Sequence, residues 1–236
     1  MIYIIVHGAD QPIAEESNGL VDILLNIGLV WIAIILCVCL LMLLIKAGKQ
    51  KRSKKMSTIL LDFETTGLIE AEGNPLEVQP YIIEAFVLRV DSNGTEQARF
   101  HSLLKPPIPL PEKITEITGI TEKELKGAPG FATIYRPLVE ICLGAHTLVG
   151  HNLPFDLTML VNELKRIDKE HKFPYPPIHY CTVANSINVR GQRLRLKELY
   201  SIATGKEEIE NAHRAESDVL AMLECYLWLR KGSGLT

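Results

Sequence analysis

Hydrophobic and polar positions divide this chain into two stretches of different character. Residues 23–45, ILLNIGLVWIAIILCVCLLMLLI, are apolar from Ile23 to Ile45, with Asn26 the only strongly polar side chain and no charge. At about 1.5 Å per helical residue such a run matches a hydrocarbon core about 30 Å thick, and it reads as a transmembrane helix. A cleaved signal peptide fits worse, because its apolar run is roughly 7–15 residues and a small-residue cleavage site should follow. Beyond it the apolar runs are short. TILLDF from Thr58, YIIEAFVLRV from Tyr81, ARFHSLL from Ala98, TLVG from Thr147 and IHYCT from Ile178 read as strands, with DSNG as a hairpin signal between the second and third.

Helical patterns fill the intervals. They are ITEITGIT, TEKELKG, GFATIYRPLVEICLG with an interruption at Pro137, a helix from about Pro154 to Asp168, LKELYSIATG ended by Gly205, and AHRAESDVLAMLECYLWLRK. Pro154 suits a helix's first turn, where its missing N–H costs little. Strands first, then strand alternating with helix, predict an α/β layered domain with a mixed sheet. The expected organisation is a short extracytoplasmic segment at 1–22, the membrane helix at 23–45, a basic linker at 46–56, the α/β domain at 57–231 and a tail at 232–236.

Charge gives the membrane helix an expected orientation. Asp10, Glu15, Glu16 and Asp22 precede it with no Lys or Arg, whereas Lys46, Lys49, Lys51, Arg52, Lys54 and Lys55 follow it. By the positive-inside rule the protein is expected to be single-pass, with the α/β domain in the cytoplasm and the basic block near anionic headgroups. A shorter product starting at Met56 is left open. Cys37, Cys39, Cys142, Cys181 and Cys225 form no CxxC pair, which argues for reduced apolar filler and against structural zinc. Residues 57–236 hold 19 Lys and Arg against 24 Asp and Glu, a balance of −5 that two divalent cations would bring to −1.

Candidate chemistry lies in acidic residues set among apolar segments. Asp62 and Glu64, two apart in a strand, project to one face at its C-terminal end. Asp156 falls in the first turn of a helix, where the dipole favours a negative charge. Asp218 shares a face of the last helix with Ala215, Met222 and Cys225, while His213 sits at that helix's entry. Such a cluster is costly to bury without a cation, and a divalent metal is the obvious one.

These residues carry a family resemblance. Asp62-Phe-Glu64-Thr-Thr-Gly, His151-Asn-Leu-Pro-Phe-Asp156 and His213-Arg-Ala-Glu-Ser-Asp218 resemble the three motifs of the DEDDh branch of the DnaQ-like 3′-to-5′ exonucleases, a family that includes the proofreading epsilon subunit of DNA polymerase III. The stretch from Ile117 to Thr121 also matches. Cys181 departs from the pattern at a position that commonly holds Asp and is not a metal ligand. The resemblance implies an RNase H-like mixed five-stranded sheet flanked by helices, preceded here by the apolar helix.

It also implies two Mg²⁺ or Mn²⁺ ions about 3.5–4 Å apart. Asp62 would bridge both, Glu64 and Asp218 would complete the first site, Asp156 would hold the second through water, and His213 would take a proton from the attacking water. Thr65, Thr66 and Leu68 would hold the terminal nucleotide, with Phe155 lining the cleft or the core, and His151 and Asn152 ordering the second motif. Arg190, Arg193, Arg195 and Lys197 form a basic run suited to a single strand's phosphates, or to a solvated face. The expected activity is release of nucleoside 5′-monophosphates from single-stranded or frayed DNA 3′ ends, with replication proteins as possible partners. An exoribonuclease of the same family, or a tethered nucleic-acid or replication-protein binding module, remains an alternative.

Overall fold

In the computed structural model, which describes residues 31, 34–42, 56–71 and 73–232, the five strand candidates all pair into one sheet. They are β1 (Thr58–Thr65), β2 (Ile82–Val90), β3 (Glu96–Leu103), β4 (Thr147–Gly150) and β5 (Ile178–Cys181), ordered β3-β2-β1-β4-β5. β1 pairs antiparallel with β2, and β2 with β3; β1 pairs parallel with β4, and β4 with β5, so the sheet is mixed as expected. The DSNG turn joins β2 to β3, with the Asp91 carboxylate accepting the N–H of Asn93 at 2.8 Å and of Thr95 at 3.1 Å.

Alternation along β1 builds both layers of the core. Ile59, Leu61 and Phe63 face one side of the sheet, where they pack with α3 (Phe131–Cys142) and α4 (Leu153–Arg166) through Leu138, Met159 and Leu160. Leu60 faces the other side with Phe86, Leu88 and Val149, under Ala215, Val219 and Met222 of α7 (Ala215–Gly232). Each fully buried Leu or Phe contributes about 1.5–3 kcal/mol. The remaining helices are α1 (Glu112–Thr118), α2 (Glu122–Leu125), α5 (Thr182–Arg190) and α6 (Leu196–Thr204).

Several expectations need correction. Pro137 does not interrupt α3: it lies inside the helix on an exposed position, where solvent can satisfy the carbonyl that loses its N–H partner. α5 was not expected, because TVANSINVR is rich in weak helix formers and lacks a clear apolar stripe. The last helix starts at Ala215, three residues after the start of the pattern AHRAESD, which leaves His213 in a turn before its entry.

The chain divides into two compact units, Met1–Lys54 and Lys55–Thr236. Most of the expected membrane helix at 23–45, and the basic linker up to 55, lie outside the described residues. Those that are described, Trp31 and 34–42, are helical and exposed. The continuous piece 34–42 extends about 14 Å, roughly half a hydrocarbon core. Among the described residues no helix is long and apolar enough to cross a membrane, and the expected single-pass membrane localisation is corrected on that finding.

Candidate active site

The site forms where β1 outruns its neighbour. Pairing with β4 ends at Leu60↔Val149, so Asp62 and Glu64 project past the end of β4 on the Leu60 side of the sheet, toward α7. There the chain leaves β4 through a tight turn into α4. A side chain at Gly150 would meet the Leu153 Cα at 3.0 Å, and Asn152 is in the left-handed region at φ 69°. This close turn delivers Asp156, 2 % exposed, to the end of β1, where its carboxylate accepts the N–H of Phe63.

Oxygens of Asp62, Glu64 and Asp218 lie within 4.8 Å of one another. Asp156 stands outside that trio but is close enough for its charge and that of Asp62 to oppose each other. All four carboxyls are pushed toward the protonated form. Burial and the charges of Asp218 and Glu84 raise Asp62. Glu64 is pushed up to about 8, by burial first and then by Asp62, Asp218 and Glu84. Burial and Asp62 raise Asp156 against the opposing N–H bonds. Asp218 rises to about 6 by burial, although the His213 imidazole and N–H favour its anion. Among the described residues none of the four forms an ion pair with Lys or Arg, and the charges of Arg214 and His213 offset those of Glu64 and Asp218 only in part. Hard oxygen ligands at this spacing fit a divalent cation.

Beside them a fifth carboxylate behaves differently. Glu84, on β2 opposite Glu64 and 1 % exposed, accepts hydrogen bonds from Arg214 Nη2 at 2.8 Å, Arg214 Nε at 3.0 Å, His101 Nε2 at 2.8 Å and the Ala215 N–H at 3.1 Å. Burial alone would raise it, but the bonds from Arg214, His101 and Ala215 outweigh burial and hold it below the usual carboxylate range. The motifs contain Arg214 but give no hint of Glu84. An acid within the apolar run IIEAFVL was the available signal, since a buried acid needs a partner.

The other expected residues separate into distinct situations. His213 is exposed, in the left-handed region at φ 64°, and borders a cleft of about 760 Å³ together with Asp218, His151, Arg190, Arg195 and Lys197. Arg193 is not among the residues lining that cleft. His151 Nδ1 lies 2.8 Å from the Thr182 hydroxyl, and burial lowers its imidazole to about 4, which favours the neutral form. Asn152 is exposed without a capping bond, and Phe155 packs partly buried against the α3–α4 core. The Thr65 hydroxyl donates to the Gly67 carbonyl at 2.7 Å, and that of Thr66 accepts the Tyr81 N–H at 2.9 Å. Both hydroxyls are therefore engaged within the protein, whereas Leu68 is 81 % exposed.

Comparison with known proteins follows the same segment. A family model described as Exonuclease (RNase T) matches residues 59–226. The DNA polymerase III subunit epsilon-like protein of Rhodobacter capsulatus is 34 % identical over 187 residues, covering 77 % of this chain and 25 % of that protein. The DNA polymerase III subunit epsilon of Aquifex aeolicus is 27 % identical over 190 residues, covering 78 % and 91 %. The chain thus spans about a quarter of the Rhodobacter relative and nearly all of the Aquifex one. Among solved structures, the nuclease domain of 3′hExo, a DEDDh family member bound to rAMP, superposes with a TM-score of 0.61 at 18 % identity, over 78 % of this chain and 96 % of that one. Escherichia coli exonuclease I in complex with a dT13 oligonucleotide gives 0.59 at 20 % identity, over 74 % and 41 %. These likenesses establish the fold as the RNase H-like one of such exonucleases.

Proposed function

We propose that this chain, which belongs to the exonuclease family whose model spans residues 59–226, is an exonuclease that degrades single-stranded or frayed DNA from the 3′ end, releasing nucleoside 5′-monophosphates. The observation that carries this reading is the trio of Asp62, Glu64 and Asp218, with oxygens within 4.8 Å of one another and, among the described residues, no ion pair to Lys or Arg. In this reading Asp62, Glu64 and Asp218 would hold one Mg²⁺ or Mn²⁺, and Asp156 with Asp62 would serve a second. Such ions, when bound, neutralise phosphate charge and make a water acidic enough to attack.

The protein's own groups do the remaining work. His213, exposed at the cleft beside Asp218, takes the proton of the attacking water. Leu68 is free to rest against the terminal base, with the backbone around Thr65 and Thr66 framing the 3′ end. His151 and Asn152 hold the turn that delivers Asp156, and Phe155 supports it from the core. Arg190, Arg195 and Lys197 face the strand's phosphates. DNA is preferred over RNA as substrate because the similar curated proteins are named as DNA polymerase III subunits, which also makes a replicative polymerase the proposed partner.

The test uses 3′-labelled and 5′-labelled single-stranded DNA and RNA with Mg²⁺, Mn²⁺ or EDTA. Mononucleotide release from the DNA 3′ end, abolished by EDTA, is expected. Faster loss of RNA would transfer the reading to an exoribonuclease. Internal cuts would overturn the exonuclease polarity, and intact substrates under all metal conditions would leave only a binding role.

A further inference from the structure

Glu84 lies outside the three motifs, yet more of its surroundings point at the catalytic turn than at its own strand. Its Oε2 accepts Arg214 Nε at 3.0 Å and the Ala215 N–H at 3.1 Å, and its Oε1 accepts Arg214 Nη2 at 2.8 Å with His101 Nε2 also at 2.8 Å. Both oxygens are thus occupied. The Ala215 N–H is one of the orphan donors at the start of α7, so a strand residue 131 positions away caps the helix that carries Asp218. The fork of Arg214 admits little rotation when gripped by both oxygens.

The neighbouring residue is the one that needs holding. His213 adopts φ 64° and Asn211 φ 53°, and a non-glycine residue keeps left-handed backbone only where its surroundings enforce it. Arg214 follows His213 directly, its carbonyl accepts the Asp218 N–H at 3.0 Å, and the His213 backbone N–H is near enough to the Asp218 carboxylate to favour its anion. The grip of Glu84 on Arg214 and Ala215 therefore runs through one short turn to both His213 and Asp218.

We propose that Glu84 is a positioning residue for His213, acting through the Arg214 fork and the Ala215 amide to fix the turn that aims the imidazole over the cleft. The proposal rests on the reading of His213 as the proton acceptor. It assigns no metal or substrate contact to Glu84, whose oxygens are already used.

A double-substitution cycle tests it. Arg214→Lys keeps the charge and removes the fork, and Glu84→Gln keeps the shape and removes the ion pair. Each should lower kcat about 10- to 100-fold on single-stranded DNA, with KM and Mn²⁺ affinity within about twofold, because small misplacement of a reacting group has losses of that order. In a His213→Ala background the same changes should alter kcat less than about twofold. Equal fold-losses in both backgrounds, or no loss in either, would overturn the positioning role; a merely structural contribution predicts the former. If His213→Ala alone turns over like the wild type, the proton-acceptor reading fails instead. Should Glu84→Gln fold poorly by circular dichroism, the milder Arg214→Lys decides alone.

Discussion

Five acidic side chains meet around the ends of β1 and β2, and among the described residues Glu84 alone of the five is ion-paired with an arginine. The other four carry the cost of burial and mutual repulsion, which is the condition a divalent ion relieves. Their roles should separate. Asp62→Ala, at the centre of the cluster, is expected to abolish activity and weaken Mn²⁺ binding at least tenfold, while His213→Ala should lower kcat about 10²- to 10⁴-fold with metal affinity unchanged. Equal loss of affinity in calorimetric titrations of both would refute the division. The raised carboxyls also make stability depend on pH. Glu64 lies near 8 in the folded chain against its ordinary 4.5, so it holds its proton more tightly when folded. Its contribution is therefore full below about 4.5 and lost as pH rises through 8, and Asp218, at about 6, adds to the loss at lower pH. Without metal the melting temperature should fall from pH 5 to 8, and the increase produced by Mg²⁺ should grow over that range; an increase independent of pH would contradict the raised values. The three motifs made Asp62, Glu64, Asp156, Asp218 and His213 legible because their spacing reflects strand and helix geometry. Glu84 was not, since its partners Arg214 and Ala215 lie 130 and 131 positions away and His101 lies on the next strand.

Helix α4 links two functional ends. Its first turn carries Asp156, and its last residue, Arg166, pins the segment between β1 and β2. The guanidinium donates to the carbonyls of Leu76, Gln79 and Pro80 at 2.8–3.1 Å and pairs with Glu163 at 3.0 Å, with its centre 3.8 Å from the Tyr81 ring centroid. Glu163, 4 % exposed, accepts the Ile82 N–H at 3.1 Å, and Tyr81 in turn bonds Thr66 beside the exposed Leu68. Arg166→Ala leaves a buried acid without its partner and should cost about 3–5 kcal/mol in urea unfolding. Arg166→Met with Glu163→Gln should recover part of that, and each should raise KM for DNA more than it lowers kcat, since the segment it releases leads to Leu68 and not to the carboxylates. A pure stability loss with unchanged KM would sever Arg166 from the substrate. Strands were legible as elements because their apolar runs are short and bounded. α5 was not, because its residues favour helix only weakly and tertiary contacts around Thr182 and Ser186 decide it.

For the molecule as a whole, charge is unevenly arranged, and the basic residues of the cleft stand among the acids Glu198, Glu207 and Asp218. Residues 57–236 carry a balance of −5, yet the cleft beside Asp218 is bordered by Arg190, Arg195 and Lys197, which the dense basic run made visible as a group without revealing which members face the site. Two of them share their charge: Arg195 pairs with Glu198 at 3.1 Å and Lys197 with Glu208 at 2.6 Å, both exposed and therefore weakly held. Such pairs exchange readily for a phosphate. The apolar run at 23–45 was equally visible, but a hydrophobic pattern alone did not establish a crossing of the membrane. If the basic side chains track the backbone of a single strand, log KM for an oligonucleotide should rise with log salt concentration, by about 0.7 per phosphate contact where KM reflects binding. Replacing Arg190, Arg195 and Lys197 by Gln should raise KM at low salt, flatten that slope by about two units, and leave kcat near its original value because none of the three reaches the carboxylates. A dinucleotide, too short to extend along the cleft, should show little of either effect. An unchanged slope in the triple variant would move the strand's path to another face of the domain.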